Sequence, residues 1–286
     1  MFLLAACNAP LRGRTTPEVG AQPLRFEVPA SLEHERSMYE KDVAMALGEV
    51  SAFFLSSGFR LPDPKIIDSV MIFESSSKAR EYLAKAYAAP AESIPETFSG
   101  TVEGAKLFLV SRGTYQDIWQ ELYPEWPWAE QNYHQLILHE LAHRAHEQVA
   151  IAWYGSAEAM GPTWFFEGLA VTCAGQFETD KPPLTLEELH EQVGSGHTPM
   201  VSYPLYGRIV RSLGAKYGMK VLIARASEPG FPEVLWSPEI TKEPQGNESA
   251  GKGIKTNAAV AQYSAADFRA LHMDRGAVGE PGHEDT

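Results

Sequence analysis

The sequence predicts an α+β fold, with a small mixed sheet in the N-terminal part and a helical C-terminal half. Two observations favour this class. Short runs rich in β-branched residues, bounded by Pro, Gly or Ser, lie between residues 65 and 110. Longer apolar runs at helical spacing make up most of the chain from residue 133 to residue 226.

Composition describes one globular domain with additional segments. The chain has 286 residues, 44% of them apolar, and a formal net charge of −13, which is ordinary for a soluble acidic protein. Nucleic acid is excluded as an expected partner, because its phosphates would be repelled. The predicted divisions are a signal at 1–7, a tether at 8–30, a catalytic domain at 31–228 and a Pro- and Gly-rich, largely irregular tail at 229–286.

The first residues resemble the end of a bacterial lipoprotein signal. Leu4-Ala5-Ala6-Cys7 is similar to a lipobox, in which cleavage leaves a lipid-bearing Cys7 at the amino terminus. Only six residues precede Cys7, too few to span a bilayer, so the signal would be truncated. We expect a lipid-anchored protein of the bacterial cell envelope, on the outer membrane or a periplasmic membrane face; an ordinary N-terminal cysteine is the alternative.

Helices and strands alternate in the first half. Apolar residues at three- and four-residue spacing predict a helix from Ser31 to about Ser56. After a Pro-Asp-Pro break, the run from Lys65 to Phe73 predicts a strand. A serine at 75 or 76 can cap a helix that ends near Tyr87. A β-hairpin or bent strand pair, Ser99 to Val110, and a short helix, Thr114 to Leu122, complete this half.

The stretch from Tyr133 to Ala145 is apolar, lacks Gly and Pro, and should be helical. It contains His139-Glu140-Leu141-Ala142-His143, an H-E-x-x-H motif. Residues four apart lie one above the other on a helix, so both imidazoles can bind one metal ion. Glu140 falls beside that ion, where a carboxylate can take a proton from a zinc-activated water. The flanking His134 and His146 are expected at the surface or just behind the ligands.

Glu167 is the best candidate for a third ligand. It is the one carboxylate in the apolar helical run from Pro162 to Ala170. A buried glutamate without a partner is costly, whereas coordination to a dication keeps it ionised. It lies 24 positions past His143 (167 − 143), which leaves enough chain for a turn and a returning helix.

Further helices are predicted downstream. Thr185 and Glu188 form a capping-box pattern at the start of a helix that ends at Val193. The segment from Ser202 to Gly218 and the one from Met219 to Ala226 finish the helical half.

The two motifs together, His-Glu-Leu-Ala-His and Trp-Phe-Phe-Glu-Gly-Leu-Ala, resemble those of the gluzincin metallopeptidases, in particular the bacterial thermolysin-like group. The resemblance covers roughly Val70 to Ala226. It implies a zincin-like metallopeptidase fold, with the active-site cleft between the sheet and the helical half. It also implies Zn²⁺ as cofactor, His139, His143 and Glu167 as its ligands, and Glu140 as general base.

The same family implies two further features. Its members supply a Tyr or His from beyond the third ligand to stabilise the tetrahedral oxyanion. Tyr203 occupies the matching place, with Tyr206 as the reserve, and simple packing of a tyrosine at a helix start is the other interpretation. By resemblance, the region from Lys106 to Ser111 would hold an extended peptide by strand addition; an ordinary core strand is equally compatible.

The expected function is that of a zinc metallopeptidase, an endopeptidase or an aminopeptidase, acting on a peptide or protein substrate. Within enzymes, the alternative is hydrolysis of a non-protein amide such as a cell-wall crosslink. Outside enzymes, it is a catalytically inactive, lipid-anchored envelope binding protein with a structural zinc site. An open fourth zinc position and the presence of Glu140 favour the enzyme, since a structural site needs no base.

Overall fold

The computed structural model describes residues 23–179, 181–194, 202–226, 228 and 230–236. Cys7, most of the predicted tether and most of the predicted tail lie outside the described residues. None of the helices in the described ranges combines the length and the apolar composition that a membrane span needs.

A four-stranded mixed sheet forms the N-terminal part, which confirms the α+β class. Its strands are β1 (Arg25–Glu27), β2 (Ser69–Phe73), β3 (Gly100–Glu103) and β4 (Lys106–Val110). The spatial order is β1-β2-β4-β3, with β1, β2 and β4 parallel and β3 antiparallel to β4. The predicted hairpin is therefore confirmed, and its second strand lies inside the sheet.

The sheet departs from the sequence expectations in two places. β4 pairs with β2 on one side and β3 on the other, so it has no free edge and the strand-addition prediction for Lys106 to Ser111 is wrong. In the described part of the chain, the edge beside β4 belongs to β3. At the other edge, β1 lies in the range predicted as tether, because three residues are too few to show an alternating pattern.

Eight α-helices occur in the described residues: α1 (Arg36–Ser56), α2 (Ser76–Ala86), α3 (Arg112–Leu122), α4 (Gln131–Tyr154), α5 (Thr163–Cys173), α6 (Leu186–Val193), α7 (Tyr203–Tyr217) and α8 (Met219–Arg225). Side-chain caps fix several of their starts. The Oγ of Ser75 accepts from the backbone N–H of Lys78, and Thr185 with Glu188 forms the predicted capping box. The first helix begins later than predicted, because residues Ala30–Glu35 form a 3₁₀ turn.

Helix α4 is the centre of the packing. It contacts α1, α5 and the edge strand β3, and α5 in turn contacts α7. Residues at four-residue intervals along one side of α4 are fully or almost fully buried: Ile137, Leu141, Ala145 and Val149. The partly buried Trp153 continues this stripe past the predicted loop boundary near Ala150, which explains why the helix extends to Tyr154.

Two glycines allow α5 and α7 to cross closely. A Cβ on Gly168 would lie 2.5 Å from the carbonyl oxygen of Tyr206, and a Cβ on Gly207 would lie 2.3 Å from Cγ1 of Val171. Only glycine fits at both positions, since real Cβ atoms do not approach this closely. The crossing brings the first turn of α7, which contains Tyr203, to the side of the helix that contains Glu167.

Candidate metal centre

Helix α4 places His139 and His143 one turn apart with their rings facing the same region. The two Nε2 atoms are 3.1 Å apart. His139 is buried, and the side chain of His143 is 17% exposed. Helix α5 adds Glu167, which is only 4% exposed and points at both rings.

The three ligand atoms form a nearly equilateral triangle. Oε2 of Glu167 lies 3.2 Å from Nε2 of His139 and 3.3 Å from Nε2 of His143. Around a tetrahedral Zn²⁺ with bonds of about 2.0–2.1 Å, ligand atoms are separated by about 3.3–3.4 Å. The triangle therefore fits one small cation. Among the described residues, no other group of three His, Cys, Asp or Glu side chains has the spacing of a metal site.

Glu167 is held as a carboxylate. Burial alone would raise the pKa of Glu167, but the charge of His143 and the hydrogen bonds with both imidazoles hold that pKa well below its usual range. The group therefore offers a negatively charged oxygen to a cation at any pH near neutrality. The carboxylate is the form of this side chain that can bind a cation.

A residue that the sequence analysis missed contacts the far side of the His139 ring. Nδ1 of His139 lies 3.0 Å from Oε1 of Gln176, which follows α5 and is 5% exposed. Because the amide oxygen can only accept, Nδ1 donates, and in the neutral ring that a metal ion requires Nε2 is then the nitrogen with the lone pair. The sequence contains a weak indication of this role, since Gln176 directly follows a glycine at the end of the Glu167 helix.

Glu140 faces the edge of the sheet. It follows His139 on α4, is half-buried, and faces the edge strand β3. A Cβ on Gly100 would lie 3.2 Å from Cγ of Glu140 and 3.0 Å from Cδ2 of Leu109. The glycine thus lets strand and carboxylate approach, so that the carboxyl directly after His139 on α4 lies against the edge strand.

The two candidate tyrosines are in different environments. The Tyr203 ring is half-buried and lies edge-on to His139, with ring centroids 5.6 Å apart. Tyr206 is 3% exposed and packs in the core behind Tyr203. Proximity to the ligands therefore favours Tyr203 over Tyr206 for a role at the site.

The expectation for His146 is wrong. It is neither at the surface nor behind a ligand but 1% exposed in the core, between the rings of Phe54 and Phe165. Burial, together with the charge of His143, lowers the pKa of His146 to about 3. A step of three residues turns a helix by about 300°, which directs His146 toward α1 and α5 rather than toward the metal ligands. For His134, the Nε2 atom lies 3.3 Å from Oε1 of Glu49 on α1.

The fold and the site define an α+β protein with a buried His-His-Glu group that could hold a metal ion. Comparisons of the chain with protein-family models, with curated proteins and with solved structures found no match. The chemistry of the site is therefore inferred from its own residues.

Proposed function

We propose that this chain is a zinc metallopeptidase of the gluzincin type, with a zincin-like fold. The observation on which the proposal rests is the triangle of His139, His143 and Glu167, with Glu140 directly after His139 on α4 and facing strand β3. Two imidazoles and one carboxylate are a ligand set that zinc accepts in hydrolases.

The number of ligands favours a catalytic site over a structural one. Structural zinc sites are closed by four protein ligands, whereas catalytic sites have three and keep one position open. The group found among the described residues has three members. This observation argues against the alternative of an inactive binding protein with a structural zinc. Glu140 argues against it as well, because a structural site needs no general base.

Each group of the site would have its own role in amide hydrolysis. A zinc ion held by the triangle would lower the pKa of a coordinated water to about 7 and polarise a carbonyl. Glu140 accepts a proton from the attacking water and returns it to the leaving nitrogen. Tyr203, whose ring lies edge-on to His139, would donate a hydrogen bond from its hydroxyl to the oxyanion.

The position of β3 favours a peptide as the substrate. This strand is at the edge of the described sheet, so its outward N–H and C=O groups can pair with an extended chain. Gly100, at its first position, is the residue that approaches Glu140. A peptide paired with β3 would therefore run past the general base, whereas a compact cell-wall amide would make no use of the strand edge.

The test compares two carboxylates on α4. Glu140→Gln should keep one zinc per chain and lose turnover of a peptide library by about 100-fold or more, because the general base is removed. Glu147→Gln, two turns further along α4 where Glu147 pairs with Arg144, is the matched control and should stay active. Equal turnover of Glu140→Gln and the unaltered chain, or failure of the unaltered chain to bind zinc, would overturn the proposal.

The proposed membrane partner depends on Cys7. If the cysteine is lipidated in the cell envelope, the full chain should incorporate labelled palmitate and fractionate with membranes, and Cys7→Ala should do neither. The domain from residue 23 onward should bind zinc whether or not Cys7 is lipidated, so this experiment is independent of the catalytic proposal.

A further inference from the structure

The side chain of Gln176 is held in place by its own backbone turn. Helix α5 ends in a Schellman motif, with Gly175 in the left-handed conformation at φ 61°. The N–H of Gln176 donates to the carbonyl of Val171 at 3.1 Å, and the N–H of Gly175 donates to that of Thr172 at 3.3 Å. This turn reverses the chain and returns Gln176 to His139.

Side chains from two other helices bind the same turn. Arg211 on α7 donates from Nη1 to the carbonyl of Gln176 at 3.2 Å and from Nη2 to that of Phe177 at 3.1 Å. Gln135 on α4 donates from Nε2 to the carbonyl of Gly175 at 2.8 Å. Three successive carbonyls are thus hydrogen-bonded by side chains, which leaves the turn little freedom to move Gln176 away from the ring.

The next residue is held in an uncommon conformation. Phe177 has φ 53°, a left-handed value that is strained for a non-glycine residue. Its ring stacks on Trp119 with centroids 5.1 Å apart, and Trp126 packs edge-on against it at 5.2 Å. Strain that persists because the surroundings hold it is typical of functional sites.

We infer that Gln176 is a positioning residue of the metal centre and that Arg211 acts on the centre through it. The inference rests on the proposed zinc site and assigns its outer contact. By accepting from Nδ1, Gln176 fixes the ring and tautomer that present Nε2 of His139 to the ion. Because the acceptor is a neutral amide, it adds no negative charge beside the carboxylate of Glu167, which contacts both histidines.

The first test measures zinc affinity of the full chain by competition with a chelating dye. Gln176→Ala should weaken zinc binding by about 10- to 100-fold, the usual effect of losing such a contact. Gln176→Glu keeps an acceptor and makes His139 a more basic ligand, so it should bind zinc at least as tightly as the unaltered chain. Gln148→Ala, a buried glutamine elsewhere on α4, should leave the affinity unchanged.

The second test asks whether Arg211 acts through Gln176. Arg211→Met removes both donated hydrogen bonds and should weaken zinc binding, whereas adding it to Gln176→Ala should cause little further loss. A merely structural arginine would give additive losses, and that outcome would overturn its assigned role.

The remaining outcomes separate this inference from the proposed function. If the unaltered chain binds zinc and Gln176→Ala binds it equally well, the positioning role is wrong while the metal site stands. If Gln176→Ala fails to fold, Gln176→Glu decides: clearly weaker zinc binding by that variant would contradict the role. If the unaltered chain binds no zinc, both the inference and the proposed function fail.

Discussion

Acidification should destabilise the protein through His146. Its ring is buried between Phe54 and Phe165, and neither ring nitrogen has a hydrogen-bond partner among the described residues. Burial lowers the pKa of His146 from an ordinary 6.5 to about 3, with the charge of His143 acting in the same direction. The folded protein therefore keeps this ring neutral, while the unfolded chain takes up a proton near pH 6.5.

The sign and size of the effect follow from these two pKa values. Between pH 6.5 and pH 3 the unfolded state binds more protons, so the free energy of unfolding falls as the pH falls. At pH 5 the loss from this single group is about 2 kcal/mol, and over the whole window it approaches about 5 kcal/mol. Above pH 6.5 the contribution is complete and constant.

The assay is urea unfolding of the unaltered chain and of His146→Leu at a series of pH values. A chelator is present throughout, because release of bound metal is itself pH-dependent. The other groups titrate alike in both proteins, so the difference between the two free energies isolates His146. Relative to the variant, the unaltered chain should lose about 2 kcal/mol between pH 7.5 and pH 5.

The control is His34→Leu, which makes the same replacement at a histidine whose side chain is 73% exposed. Parallel stability curves for the unaltered chain and His146→Leu would refute the reasoning. They would mean that the ring is protonated in the folded state or that it does not lie in the core.

Further perturbations test other parts of the structure. Gly168→Ala would bring a Cβ to 2.5 Å from the carbonyl oxygen of Tyr206 and should lower stability by about 1–3 kcal/mol in thermal unfolding. Gly113→Ala, in a helix with open space around it, should stabilise slightly, by about 0.5–1 kcal/mol. Tyr203→Phe should retain zinc but lower peptide turnover by about 100-fold, the cost of one oxyanion donor, whereas Tyr206→Phe should have little effect on turnover. Zinc binding should release protons and weaken as the pH falls, which calorimetry in two buffers of different ionisation enthalpy would detect.

The parts of the fold that sequence could predict are those set by local rules. The spacing of His139 and His143 follows from the helical period, and the capping box of α6 is a four-residue pattern. Gln176 could not be predicted in this way, because it meets His139 across 37 positions through a turn held by α4 and α7. The same holds for the edge position of β3, since strand order depends on which distant segments pair.

The candidate metal centre depends both on local sequence spacing and on the packing of distant segments. His139 and His143 belong to one helix, so their relative position would survive in any folded form of α4. Glu167 belongs to α5, whose position depends on the close crossing with α7 at Gly168. The triangle therefore exists only when these three helices are packed, and a metal that needs all three ligands binds the native state far better than the unfolded chain. Binding should accordingly stabilise the whole helical half, with a gain that grows logarithmically with free metal concentration.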